Sequence, residues 1–149
     1  MEANKNPGLL SICLVGLACF ALPAGAQSPA DDATRAQFFE HALQLQEHEG
    51  RCRLASDGGY LDLLLEWPCR FHLDRHGALR IQPVGNSHVL LVESSEAMPP
   101  PHRDCRTVVQ AVGSDSHGLK ASPVVSRVAA CPPFEWDAKM FIGLFEPGA

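Results

Sequence analysis

From Leu61 to Leu73 every second residue is apolar: Leu61, Leu63, Leu65, Trp67, Cys69, Phe71 and Leu73. Side chains alternate across a pleated backbone, so a period of two held this long predicts a strand with one buried face. The interleaved residues, among them Asp62, Glu66, Arg70 and His72, predict that the other face is wet.

The alternation runs into Asp74-Arg75-His76-Gly77. Asp suits the first position of a type I turn and Gly the left-handed residue that closes it. Pairing Asp74 with Ala78 sets Leu73 opposite Leu79 and Phe71 opposite Ile81, so turn chemistry and hydrophobic register agree on a hairpin within residues 60–82.

A chain of 149 residues has room for one domain. Its first 26 residues read as a secretory signal peptide: Lys5, an apolar run from Leu9 to Leu22, then the small residues Ala24 and Ala26 before Gln27. Cleavage there leaves residues 27–149 as a single small α+β domain, with no membrane span in the mature chain. It removes Cys13 and Cys19, and since Glu2 and Lys5 cancel, the net charge of −5 is kept. No basic run interrupts that mild acidity, which argues against nucleic acid as a partner.

The four remaining cysteines, Cys52, Cys69, Cys105 and Cys131, are too widely spaced for a zinc signature and read as two disulfides of an exported, periplasmic or secreted protein. Cys105 opens one strand-like segment, Cys131 closes the next, and Gly118 marks the turn midway between them, so these two are expected to pair, leaving Cys52 for Cys69. In the chain-entropy model each bridge contributes roughly 3 kcal/mol.

Along the rest of the chain, Phe38, Phe39, Ala42 and Leu45 follow helical spacing, with Asp31 or Asp32 as N-cap and Gly50 as stop. This predicts a helix over 33–49 packed on the greasy sheet face. Val89, Leu90, Leu91 and Val92 form a continuous apolar run, which indicates a central strand covered on both sides. Ser94 to Asp104 reads as an irregular connection, Gly113 to Gly118 as a loop tip, Pro123 as an edge-strand residue, and Trp136 to Phe145 as a short amphipathic helix. The expected architecture is an N-terminal helix on a five-stranded antiparallel meander, a short C-terminal helix and two disulfides.

Candidate chemistry is sparse. His72, Asp74 and His76 are spaced to share a strand face, but the last two fall in the turn, where the alternation breaks. Ser114, Asp115, Ser116 and His117 carry the residue types of a hydrolytic triad, yet neighbours in one tip point in different directions. Glu135 and Asp137 flank Trp136 at a helix start, where acidic residues cap. No catalytic set, metal site or cofactor motif results. The expectation is a non-enzymatic exported binding protein, an inhibitor or neutralising partner of another exported protein. The alternative is a small-ligand or metal binder using His72, Asp74 and Arg80 on the exposed face of the 60–82 hairpin.

Overall fold

The computed structural model describes residues 33–146, so the signal-peptide reading of residues 1–26 and the capping role of Asp31 or Asp32 lie outside the described residues. Within them the chain forms nine strands and one helix. The strands are β1 (Arg35–Phe38), β2 (His41–His48), β3 (Arg51–Ser56), β4 (Gly59–Glu66), β5 (Arg70–Phe71), β6 (Gln82–Val84), β7 (Ser87–Ala97), β8 (Cys105–Asp115) and β9 (Gly118–Val128), and the helix is α1 (Ala138–Phe145). The first sheet has the order β1-β2-β3-β4. In the second the order is β5-β7-β8-β9, with β6 also on β7. All pairings are antiparallel.

The helix expected over 33–49 is instead the β1–β2 hairpin. Ala36 and Phe38 point inward before the turn and Leu43 and Leu45 after it, a period of two interrupted by Phe39 and Glu40. Folding the interruption into the count makes Phe38, Ala42 and Leu45 look helical. The turn carries no Gly, Pro or Asn signal, since Phe39 itself takes the positive φ of 53°.

The long strand expected from Tyr60 onward is two strands in different sheets. Pro68, which has no N–H to extend a ladder, sits between β4 and β5 and lets the chain pass from the first sheet to the second. The inward alternation is interrupted at this passage and then resumes: Leu63, Leu65, Cys69 and Phe71 lie in the core between the sheets, while Trp67, expected on the same buried face, is exposed where the chain crosses over. The turn after β5 forms as its residues dictate, but the hairpin expected within residues 60–82 goes no further than the Leu73–Leu79 bridge and its flanking backbone bonds. β5 and β6 each pair with β7 rather than with each other, and the Phe71 N–H donates to the Ala33 carbonyl instead of facing Ile81. Leu73 faces Leu79, Gly77 has φ 78°, and Asp74 accepts the backbone N–H groups of His76 and Ala78 at 2.8 and 3.0 Å.

The single five-stranded meander is thus replaced by two facing sheets with α1 on the far side of the second. Strand β7 has apolar cover on both sides: Leu90 and Val92 enter the core between the sheets, while Val89 and Leu91 enter a second core with Val109, Ala111, Phe141 and Leu144. Full burial of one such side chain contributes about 1.5–3 kcal/mol. Helix α1 starts at Asp137, whose side chain accepts the Met140 N–H at 3.2 Å. It ends against β9, where Ser122 Oγ donates to the Leu144 carbonyl. Among the described residues no helix is long and apolar enough to cross a membrane.

Buried Gln110 joins the two sheets, and meets the same Ser122. Its Oε1 accepts the Leu64 N–H of β4 at 2.7 Å, and its Nε2 donates to the Ser122 carbonyl of β9 at 2.7 Å. Pro123 lies on β9, an edge strand, where the register with β8 slips between Gln110 and Val112.

The two loops expected to be long are short. β7 and β8 stay paired to Ala97 and Cys105, and β8 continues to Asp115 opposite Gly118. Gly113 is therefore a strand residue, and its need for glycine is spatial: a Cβ there would penetrate the Phe145 ring. Gly113→Ala is expected to destabilise the protein by about 1–3 kcal/mol in urea unfolding. Phe145→Ala should cost less in that background than in the wild type. Additive effects would show that ring and glycine do not press on each other.

Candidate functional site: a charged floor beneath an apolar cleft

The two disulfides, Cys52–Cys69 and Cys105–Cys131, are consistent with folding in an oxidising environment. Cys69 and Cys105 contribute to the wall of one cleft of about 630 Å³. Its sides include Trp67, Pro68, Ala97 and Pro132, together with Ala33 and Thr34 just before β1, and its floor is Arg70 with Glu93. Trp67 is tied down by its N–H to the Gly50 carbonyl at 3.0 Å, and the residue remains 37% exposed.

The floor follows from strand register. Arg70 stands opposite Glu93 across β5 and β7, and both Nε and Nη2 of the guanidinium donate to Glu93 Oε1, at 2.9 and 2.7 Å. Glu93 lies on the side of β7 that carries Val89 and Leu91, so its carboxylate is buried with only 2% exposure. Its second oxygen, Oε2, accepts the indole N–H of Trp136 at 3.2 Å and lies 3.6 Å from His72 Nδ1. His72 Nε2 accepts the Trp136 backbone N–H at 3.4 Å, which leaves the ring proton on Nδ1, facing the carboxylate. Phe134 and Phe141 close over the imidazole, and Phe134 stacks edge-on against Trp136 at 4.4 Å.

Burial alone pushes the Glu93 carboxyl up. His72, Arg70 and Trp136 together outweigh it and hold the group below its ordinary value near 4.5, so Glu93 is ionised at neutral pH.

His72 is therefore interior, at 1% exposure, and the wet-face expectation is corrected there, whereas Tyr60, Asp62, Leu64 and Glu66 of β4 are exposed as expected. The passage between sheets at Pro68 and the arrival of the C-terminal segment cover what the alternation alone left open. Asp74 and His76 stay in the turn, where Asp74 serves the backbone, and Arg80 lies over the Phe141 ring at 5.6 Å. The residues of the small-ligand reading are thus not brought to one place. Among the described residues no group of His, Cys, Asp or Glu is placed to hold a metal ion.

Ser116 and His117 form the β8–β9 turn, with Asp115 Oδ1 accepting the His117 N–H at 2.7 Å. Glu135 accepts the Arg75 N–H at 3.3 Å and Asp137 caps α1. Sequence reasoning missed Arg70 and Glu93 as a pair. A signal existed in Glu93, a charge directly after four buried apolar residues and in phase with two of them.

Comparison with protein-family models, curated proteins and solved structures found no match.

The depressed Glu93 value fixes a pH dependence. The unfolded chain takes up this proton at higher pH than the folded one, so the stabilisation is complete above about pH 4.5 and is lost as pH falls through the native value. Exposed Asp57 and Asp62 and partly buried Asp74 are also held low, by His41, by Arg53, and by the N–H groups of Ala78 and His76, so acid weakens the fold in Glu93→Gln too. At pH 7 that variant should be less stable by about 1–3 kcal/mol, the cost of leaving partners unmatched. In melting curves from pH 7 to pH 3 the gap to wild type should close below pH 4.5. A gap that does not change with pH would contradict an ionised Glu93.

Proposed function

We propose that this is a non-enzymatic exported binding protein, periplasmic or secreted, that holds a segment of another exported protein in the Trp67–Pro132 cleft and acts as its inhibitor or neutralising partner. The observation that carries this reading is the cleft itself, an apolar trough with a half-exposed tryptophan whose walls include a cysteine from each disulfide. Walls pinned covalently lose little freedom on docking, so more of the contact energy appears as affinity. Aromatic side chains at the centre of such a trough dominate recognition energetics. The ionisable groups of the floor are engaged with one another, which favours a binding role over proton transfer.

The loops at residues 98–104 and at Ser116–His117 lie at opposite ends of β8, so they do not form one surface, and the cleft takes their place as the recognition site in this reading.

The chain from Gln27 to Ala149, immobilised and exposed to the exported proteins of its own organism, is expected to retain one partner in stoichiometric amount, identifiable by mass spectrometry. Trp67→Ala should lose at least about tenfold in affinity for it, a typical effect of truncating a central aromatic anchor. Phe39→Ala, at an exposed aromatic away from the cleft, should not. A partner held equally well without the Trp67 ring would remove the cleft from the reading.

A further inference from the structure

Resting on the cleft assignment above, we infer that the cleft takes an extended C-terminal tail of an exported protein, which adds a short antiparallel strand to the uncovered edge of β7 and sets its terminal carboxylate on Arg70.

The edge of β7 away from β8 is covered in succession along the strand. β6 pairs with Ser87 to Val89, the His72 N–H donates to the Leu91 carbonyl at 2.9 Å, and β5 pairs with Val92 and Glu93. There the cover stops, although β7 runs on to Ala97 and remains paired with β8 as far as Cys105. Because the Leu91 carbonyl points to this edge, the two-residue alternation turns the N–H and C=O groups of Ser95 and Ala97 the same way. Both residues line the cleft, and no backbone group among the described residues pairs with this edge beyond Glu93. Pro68 approaches only through its carbonyl, which accepts Ser94 Oγ at 3.0 Å. The three residues from Ser95 to Ala97 leave an open stretch of roughly 10 Å at about 3.3 Å per residue, enough for a short peptide segment to pair with.

Direction supplies the second constraint. β5 is antiparallel to β7, with Arg70 opposite Glu93. A guest strand running the same way as β5 along Ser95 to Ala97 ends with its C-terminus against Pro68, two residues before Arg70, whose side chain lines the same cleft. The guanidinium uses Nε and Nη2 on a single oxygen of Glu93, leaving Nη1 without a partner among the described residues, and the side chain is 39% exposed. Glu93 does not depend on Arg70 alone, since its other oxygen is held by the Trp136 indole and faces His72. Arg70 can therefore share its fork with a second carboxylate, the ligand that its planar donor geometry suits best. Apolar side chains at alternate positions of the tail meet Trp67, Ala97 and Pro132.

The probe is a pool of random eight-residue peptides with free C-terminal carboxylates, applied to the chain from Gln27 to Ala149 beside the same pool C-terminally amidated. Free-acid peptides should be retained, and amidation of the recovered sequences should weaken binding at least tenfold. Arg70→Lys, which keeps the charge but loses the fork, should erase most of that acid-over-amide preference. N-methylation of every second residue should abolish binding in one phase and spare it in the other, the mark of backbone pairing. Amides bound as tightly as acids, with Trp67→Ala still blocking both, would overturn the inference and leave the cleft reading standing. Retention that ignores Trp67 would overturn both.

Retention of neither pool would overturn the inference alone, since partner capture tests the cleft separately. Peptide binding tightened by Asp31→Asn and Asp32→Asn would assign the cleft to the chain's own lead instead, and a dimer that free-acid peptides dissociate would assign it to a second copy.

Discussion

Strand β7 is the constraint on which the other parts depend, because its run of four fully buried apolar side chains enters both cores. Leu90 and Val92 require a sheet above them, and Val89 and Leu91 require a helix below. With each face contributing several fully buried side chains, neither layer can be removed without exposing about 1.5–3 kcal/mol per residue of apolar surface. The β1–β4 sheet is held over one side by its own inward alternation and by Gln110. Helix α1 is held over the other by Phe141, Leu144 and the contact between Ser122 and Leu144. Polar links thus fix the registry of layers that greasy contact alone would let slide.

The same strand generates the candidate site at the point where its apolar run ends. Glu93 continues the phase of Val89 and Leu91, so register drives a carboxylate into the interior. That is tolerable only because Arg70 stands opposite and because the C-terminal segment brings Trp136 and Phe134 over the top. Beyond Glu93 the chain leading into β5 meets β7 only through the Pro68 carbonyl at Ser94, and the end of β7, unpaired on that edge among the described residues, becomes one wall of an apolar cleft. Site and fold therefore share one cause, a central strand longer than the strands on one of its edges.

How much of this was legible depends on how local the cause was. The Asp74–Gly77 turn, the inward set Leu63, Leu65, Cys69 and Phe71, the double cover of Val89 to Val92 and the amphipathic α1 are all set by residues within a few positions of one another. They appear in the structure as the periodicity implies. The β1–β2 hairpin was hidden because Phe39 occupies a turn position without a turn residue, and a broken period of two passes for a period of 3.6. The division into two sheets was hidden because one proline breaks a ladder while the side-chain alternation resumes past it. His72 was misplaced for a different reason: its cover, Phe134 and Trp136, arrives from more than sixty residues away, a distance no local pattern spans.

Native-state hydrogen exchange on the free protein puts the central claim, a strand locked through its middle and open at its end, to the most direct test. The account predicts that the amides of Leu90 and Val92 exchange only on global unfolding, while those of Ser95 and Ala97, in the same strand, exchange orders of magnitude faster. Protection at Ser95 and Ala97 equal to that at Val92 would show that the edge is already covered and would contradict the account.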